Sequence, residues 1–454
     1  MKTFFTKSAL YLALTIPAFF FLGCDDSEEG GSYEFSVEPT VLTFSAKQET
    51  QTLSVRTYGD WSIVLPQDAA WLKVSAMSGR GPAEIEVTAE NYYRTDTSRT
   101  ARLTVTGGNS GDFPVEVVQQ KLQMNDLSAA GKANCYIVPT SGDFVINAAT
   151  QGNSESEQVG EWTSAELLWE DNRELITDLY GDPESKRIFF STAAAGNAVI
   201  AVKDASGKIL WSWHIWATDF DPNAKTLKYT NDNGSTWEFM DRNLGAANAE
   251  SGSFGAFGLL YQWGRKDPFT AATAFAPENP SETIRWNMLN NPLPAMASDA
   301  DSMGTVQLSI EHPTSFYVTR YAHGDWNGQP DPDLWGAVSG QKTVYDPCPA
   351  GWRVPAYDAQ GDSPYAFVTR QTTTGTDNIG RIYTDGNGND FLFPVAGSRV
   401  NGTGTLDCPG NYGSLWTATG KTTSNEDGTI EYGCLLFFTT GRLVSATYYD
   451  TRSQ

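Results

Sequence analysis

Short alternation of apolar and polar residues, broken every few positions by turn-forming clusters, is what most limits the fold of this chain. Leu53-Ser54-Val55, Ile85-Glu86-Val87, Leu103-Thr104-Val105 and Val115-Glu116-Val117 all follow this pattern. A period of two puts apolar side chains on one face of an extended strand and leaves the other face wet. Between the segments stand Tyr58-Gly59-Asp60, Ser78-Gly79-Arg80-Gly81-Pro82 and Gly107-Gly108-Asn109-Ser110-Gly111, whose composition favours turns. Heptads, long amphipathic helices and strand-helix alternation are not found in residues 222–454. The chain is predicted to be mostly β and multidomain. About seven short strands in roughly ninety residues predict an immunoglobulin-like sandwich over residues 34–121.

Several residues of this segment carry a resemblance. Trp71-Leu72, the Gly79/Gly81 turn, Ala89-Glu90-Asn91, Arg99-Thr100-Ala101 and Val117-Val118-Gln119-Gln120 make it similar to a BACON domain. Such domains often stand at the N-terminus of exported carbohydrate-active or mucin-directed proteins. The resemblance implies carbohydrate binding, or a spacer that lifts a working domain off a membrane.

A second small β-sandwich is predicted over residues 122–221, from the apolar runs 133–138, 143–146, 197–202 and 209–216. Asp204-Ala205-Ser206-Gly207 between the last two runs reads as a hairpin turn. From 222 to 454 the texture changes to short apolar pieces between long loops rich in Gly, Asn, Asp, Trp and Tyr, which predicts a loop-rich α+β domain. Its landmarks are Met240-Asp241-Arg242-Asn243-Leu244-Gly245-Ala246, Gly258-Leu259-Leu260-Tyr261-Gln262-Trp263-Gly264-Arg265-Lys266-Asp267, and Tyr345-Asp346-Pro347-Cys348-Pro349-Ala350-Gly351-Trp352-Arg353-Val354-Pro355. Phe393-Pro394-Val395-Ala396-Gly397-Ser398-Arg399 and Gly413-Ser414-Leu415-Trp416-Thr417-Ala418-Thr419 complete them. That ordered series resembles the FISUMP-type major paralogous domain, a relative of the formylglycine-generating and C-type-lectin-like folds. Family members commonly continue past a pair such as Thr451-Arg452 into a strand carrying a cysteine. This chain departs from that pattern, which leaves the partner of Cys348 and the number of disulfides open.

The first residues read as an export signal. Lys2 and Lys7 precede the apolar stretch 9–22, which is short for a membrane span. Leu22-Gly23-Cys24 resembles a lipobox, with residues 1–23 as the leader, Cys24 as the acylated residue and 24–33 as an acidic tether. A multiply acylated terminus stays in a membrane, since each buried methylene contributes about 0.8 kcal/mol. The acidic run after Cys24 resembles the tether that sends lipoproteins of gut-type Gram-negative bacteria to the outer face of the outer membrane. The expected location is therefore the outer membrane, lipid-anchored and facing outward. The chain holds 31 Lys and Arg against 54 Asp and Glu, a formal charge of −23. Phosphate backbones and anionic headgroups would repel it, so nucleic acid is not an expected partner and the membrane is met only through the anchor.

Catalysis finds little to work with. His214 sits between Trp213 and Ile215 on a predicted strand and reads as a packed histidine, while His312 and His323 lie in loops without metal-ligand spacing. No carboxylate pair is singled out for glycoside hydrolysis. Cys408 and Cys434 could serve a thiol-dependent modifying enzyme, as in the enzymatic branch of the formylglycine-generating fold, but a disulfide between them or inert burial is the preferred expectation. Asp385, Asn387 and Asn389 alternate as in calcium loops yet lack the glycine and glutamate of a helix-loop-helix site, so a polar hairpin turn is preferred and no cofactor is expected. Sugar rings stack on indole and phenol faces while Asp and Asn bond their hydroxyls. Asp325, Trp326, Asn327, Trp335 and Tyr412 have that composition and are the candidate ligand-binding residues. The expected function is non-catalytic binding of extracellular glycan or glycoprotein. The alternative is an accessory or tip subunit of a surface fimbria, with fimbrial subunits as partners.

Overall fold

The computed structural model describes residues 34–94, 97–107, 110–274, 278–299, 304–318, 324–370, 380–425, 428–440 and 444–452. The leader, the tether, Cys24 and His323 lie outside them. The chain is mostly β and forms two units, divided after Lys121.

In the first unit the strands are β1 (Ser36–Glu38), β2 (Val41–Phe44), β3 (Glu49–Arg56), β4 (Asp60–Val64), β5 (Leu72–Val74), β6 (Ser78–Arg80), β7 (Ala83–Ala89), β8 (Arg99–Thr106) and β9 (Asp112–Gln119). They make a β1-β3-β7-β5 sheet and a β2-β9-β8-β4-β6 sheet. The alternation read from the sequence sets which side chains meet between them: Leu53, Val55, Ile85, Val87, Leu103, Val105, Val115 and Val117 are all buried in one core. Trp61 joins that core, its Nε1 donating to the Gly81 carbonyl at 3.0 Å. Gly79 lies under its ring, where a Cβ would stand 2.4 Å from Trp61 Cζ2.

The second unit begins with β10 (Asn125–Asp126), β11 (Cys135–Val138), β12 (Gly142–Asn147), β13 (Ser164–Glu170), β14 (Ile176–Asp182), β15 (Arg187–Thr192), β16 (Gly196–Lys203) and β17 (Ile209–Ala217). A β10-β12-β15-β14 sheet packs on a β11-β17-β16-β13 sheet through Val138, Phe144, Ile188, Phe190, Ile200, Trp211 and Trp213. The β16–β17 hairpin forms where the 204–207 turn places it. The β11-β17-β16-β13 sheet is buried on both faces. On its far side Trp169 and Val199 share a core with Leu259, Phe269 and Phe316, and Ile310 and Val344 enter the core between the sheets. Residues 122–221 and 222–454, read separately from the sequence, thus share their interior and belong to one unit.

The remaining strands are β18 (Thr226–Thr230), β19 (Thr236–Met240), β20 (Ala297–Asp299), β21 (Ser315–Tyr317), β22 (Gly380–Thr384), β23 (Asp390–Pro394), β24 (Ser398–Arg399), β25 (Leu406–Asp407), β26 (Tyr412–Asn425), β27 (Gly428–Thr439) and β28 (Val444–Thr451). Two short helices, α1 (Val306–Glu311) and α2 (Ala366–Arg370), accompany them. The only sheet here larger than two strands among the described residues is β26-β27-β28.

Candidate ligand-binding site

Among the indole and phenol rings of the second unit, some are sealed in the core and some stand around a cavity. Asp325, Trp326 and Asn327 lie in the core. Trp326 is 1 % exposed, its Nε1 donates to the Trp263 carbonyl at 2.7 Å, and its ring lies beside Tyr317. Asp325 is equally buried and accepts from Arg452 Nη1 at 3.1 Å, and Asn327 donates to the Gln329 carbonyl. These three are corrected from ligand contacts to core residues. The physical reason is Arg452, which is fully buried over the Trp263 ring and needs a carboxylate beside it. Trp335 is also 1 % exposed, with Nε1 on the Arg265 carbonyl at 3.2 Å, and reaches a cavity only as part of its wall. An indole covered to that degree cannot offer a face to a sugar at the surface, so that expectation is corrected too.

Tyr412 is half-buried, its hydroxyl bonded to Ser398 Oγ at 2.7 Å and donating to Asp407 Oδ2 at 3.1 Å. Its ring packs on Phe437, which stacks on the exposed Tyr448. Cys408 and Cys434 are free thiols, which corrects the disulfide; of the burial expected in its place, Cys434 is buried and Cys408 half-buried. Cys408 bonds to Asp407 in a left-handed turn, whereas Cys434 lies on β27 near Tyr357, Lys421 and Arg452. Burial pushes both thiols up, which lowers their thiolate content. Asp385, Asn387 and Asn389 form the β22–β23 turn. Asp385 Oδ1 accepts from the backbone nitrogens of Asn387 and Asn389 at 2.8 Å each, and those bonds turn the carboxylate onto its own loop. Among the described residues no group of three or more His, Cys, Asp and Glu side chains converges as a metal site. His214 is buried, with Nε2 3.0 Å from Asn197 Oδ1. Burial drops its pKa to about 3, so the ring is neutral.

The cavity, of about 240 Å³, is where the landmark segments meet. From 240–246 come Asp241, Arg242 and Asn243; from 258–267, Leu260 and Tyr261; from 345–355, Cys348, Trp352 and Arg353; from 393–399, Phe393 and Ser398; and from 413–419, Leu415 and Trp416. Phe239 at the end of β19 and Tyr365 beside α2 close one side. Trp416 is held by a bond from Nε1 to the Tyr261 carbonyl at 2.9 Å. Arg242 is clamped by its neighbour Asp241, Nε to Oδ1 at 2.7 Å, and lies 4.0 Å from the Phe220 ring. Asn243 is fixed by donation to the Phe257 carbonyl at 3.1 Å. Arg353 donates to the carbonyls of Gly340 and Gly336. The Tyr261 hydroxyl is buried and has no hydrogen-bond partner among the described residues. Cys348 is in the wall, but burial drives its thiol far up, so it is protonated and a poor nucleophile. This arrangement can hold a flat, largely apolar face and bond polar substituents at its edge. The sequence marked these segments as landmarks, but Trp352 and Trp416 were not among its candidate ligand-binding residues. Their half-buried indoles are what the composition reading missed, and Phe239 carried no signal at all.

In the first unit, the residues that carry the BACON resemblance gather into one clasp. Arg99 lies between Trp71 and Tyr92, its Cζ 4.2 and 4.4 Å from the two ring centroids. Its Nε donates to Gln119 Oε1 at 2.9 Å and an Nη2 to the Glu90 carbonyl at 3.1 Å. Both guanidinium faces are covered, so the clasp ties β8 and β9 to the 90–92 loop.

Fold and site together define a multidomain, mostly β protein with a binding-type cavity. Residues 61–120 match the model of the BACON family, described as "Putative binding domain, N-terminal". No curated protein matches the chain. Among solved structures, a Bacteroides ovatus GH5 xyloglucanase in complex with a XXXG heptasaccharide is 24% identical, over 24% of this chain and 27% of that one, with a TM-score of 0.18. A protein from Bacteroides thetaiotaomicron is 19% identical over 22% of this chain and 100% of its own, TM-score 0.16. The Pseudomonas aeruginosa CupB2 chaperone is 14% identical over 39% and 98%, TM-score 0.17.

Proposed function

We propose that this protein is a cell-surface lipoprotein, anchored in the outer membrane through Cys24, that binds extracellular glycan or glycoprotein without transforming it. In this reading residues 34–121 are a BACON domain, and residues 222–454 are a FISUMP-type, C-type-lectin-like domain fused to the sandwich before it. The observation that carries the reading is the convergence of the landmark segments on one aromatic-walled cavity, with fixed amide and guanidinium groups at its edge. Sugars are recognised by that combination of flat apolar faces and oriented polar groups. The BACON match at residues 61–120 supports the same class of ligand. A glycan array probed with wild type and with Trp352→Ala and Trp416→Ala tests it. Binding by wild type that weakens about tenfold in either variant is expected, on a loss of ~1.4 kcal/mol or more. An array on which wild type binds nothing sinks the reading.

A fimbrial accessory subunit is the second reading, favoured by β28. That strand pairs with β27 alone among the described residues and carries Tyr448 and Tyr449, 41% and 44% exposed. The Ala446 carbonyl on that strand is taken by Tyr357 and Ser363, but the stretch beyond it, beside the exposed rings, suits addition of a partner's strand. Loss of surface filaments on deletion of the gene, with glycan binding by the purified protein absent, would place the function there.

A further inference from the structure

A second cavity, of about 400 Å³, opens where β13 ends and shares only Leu259 with the lining of the aromatic one. Antiparallel pairing of β13 with β16 brings Asp171 beside Asn197, and pairing of β16 with β17 sets Trp216 opposite Asn197. Asp171 accepts two hydrogen bonds of 2.7 Å from Asn197, one from the backbone nitrogen and one from Nδ2. The Asn197 side chain is fully used, since Nδ2 also donates to the Gly245 carbonyl at 3.0 Å and Oδ1 accepts from His214 Nε2. Two glycines make room for the pair. A Cβ on Gly196 would stand 2.4 Å from Asp171 Oδ1, and one on Gly245 would stand 2.9 Å from Asn197 Oδ1.

The carboxylate is therefore held in one orientation with about half of its roughly four acceptor sites still open. Thr270 and Thr283, also in the wall, spend their hydroxyl protons on Glu282 Oε1 at 2.6 Å and the Ala271 carbonyl at 3.0 Å. Toward the cavity these three groups can only accept, so they favour a ligand that brings O–H donors. Phe254, 44% exposed, adds a flat apolar face, while Trp216, 1% exposed, only backs the wall. An anionic ligand would meet Asp171 and a chain of charge −23, and is disfavoured.

The geometry points to this cavity as a binding site for one ring of a neutral sugar, its hydroxyls on Asp171 and its C–H face on Phe254. The inference rests on the glycan reading and assigns it a subsite. Burial holds the Asp171 carboxyl up at about 6, and hydroxyl donors favour its ionised form, so the site binds more tightly above that pH. The test is calorimetric titration of the whole protein with methyl glycosides of neutral hexoses and N-acetylhexosamines, at pH about 7 and about 5. At least one glycoside binds wild type, weakens at the lower pH, and weakens by about tenfold or more in Asp171→Asn and in Phe254→Ala. Phe254→Ala alters an exposed ring on a short turn, so its result stands even where Asp171→Asn disturbs folding. Unchanged affinity in both variants overturns the subsite while glycan binding on the array leaves the broader reading standing. Failure of every neutral glycoside to bind wild type overturns the subsite as well.

Discussion

His214 and Asp171 both bond to the side chain of Asn197, yet they titrate in opposite senses. Burial takes the histidine from an ordinary pKa near 6.5 down to about 3 and the carboxyl from about 3.9 up to about 6. For the histidine, stability is full above the unfolded pKa and drains away as pH falls toward about 3, because the unfolded chain takes up the proton first. For the carboxyl the sign is reversed. Its contribution is full below the unfolded pKa and is lost as pH rises through about 6. Between about pH 4.5 and 6 both operate, and 1.5 units at 1.36 kcal/mol each gives roughly 2 kcal/mol for either group. The two nearly cancel in wild type. Taken from pH 6 to 4.5, His214→Gln should gain roughly 2 kcal/mol over wild type and Asp171→Asn should lose roughly 2. The other carboxylates are common to all three proteins and drop out of the differences. Urea unfolding followed by tryptophan emission reads this out, since Trp61 and Trp71 alone belong to residues 34–121 and the other tryptophans report the second unit. Three parallel pH profiles would refute the reasoning.

Asp325→Ala should cost the second unit about 3–5 kcal/mol in the same assay, because it leaves the buried Arg452 with Glu431 as its remaining carboxylate; a loss under about 1 kcal/mol would mean that the pair carries no weight. Gly79→Ala should destabilise the first unit by about 1–3 kcal/mol as Trp61 is displaced from its place over β6, read from the emission of Trp61 and Trp71 or by amide exchange in β4 and β6. A thiol reagent should modify the half-buried Cys408 in the folded protein and reach Cys135 and Cys348 only in denaturant; protection of Cys408 and Cys434 from labelling even after unfolding would restore the disulfide.

What could be read from the sequence depended on whether a strand keeps a wet face. In the first unit Val87 and Val117 are buried while Glu86 and Glu116 are exposed, so polarity itself reports direction, and the sandwich could be expected in advance. In β17 the residues from Trp211 to Ala217 are all buried, and the alternation disappears. That unbroken run was visible in the sequence. Its meaning is that the sheet is covered on both sides, on one by the partner sheet and on the other by residues beyond 222, which is why a boundary drawn on texture at 221 divides one core. The site failed to show itself for a related reason. A tryptophan among Asp and Asn is the composition of a sugar platform, and it is equally the composition needed to bury a guanidinium. Arg452 takes Asp325 and covers Trp263, and Arg265 lies 5.7 Å from the Trp326 ring centroid. The choice between those uses lies with the arginines, which stand 127 residues from Asp325 in one case and 61 positions before Trp326 in the other. Asp171 faces a cavity and takes its hydrogen bonds from Asn197, with no arginine in ion-pair contact among the described residues. A carboxylate or an aromatic ring left open to a cavity, with no buried cation to satisfy, is the better sign of a ligand than an aromatic residue flanked by polar ones.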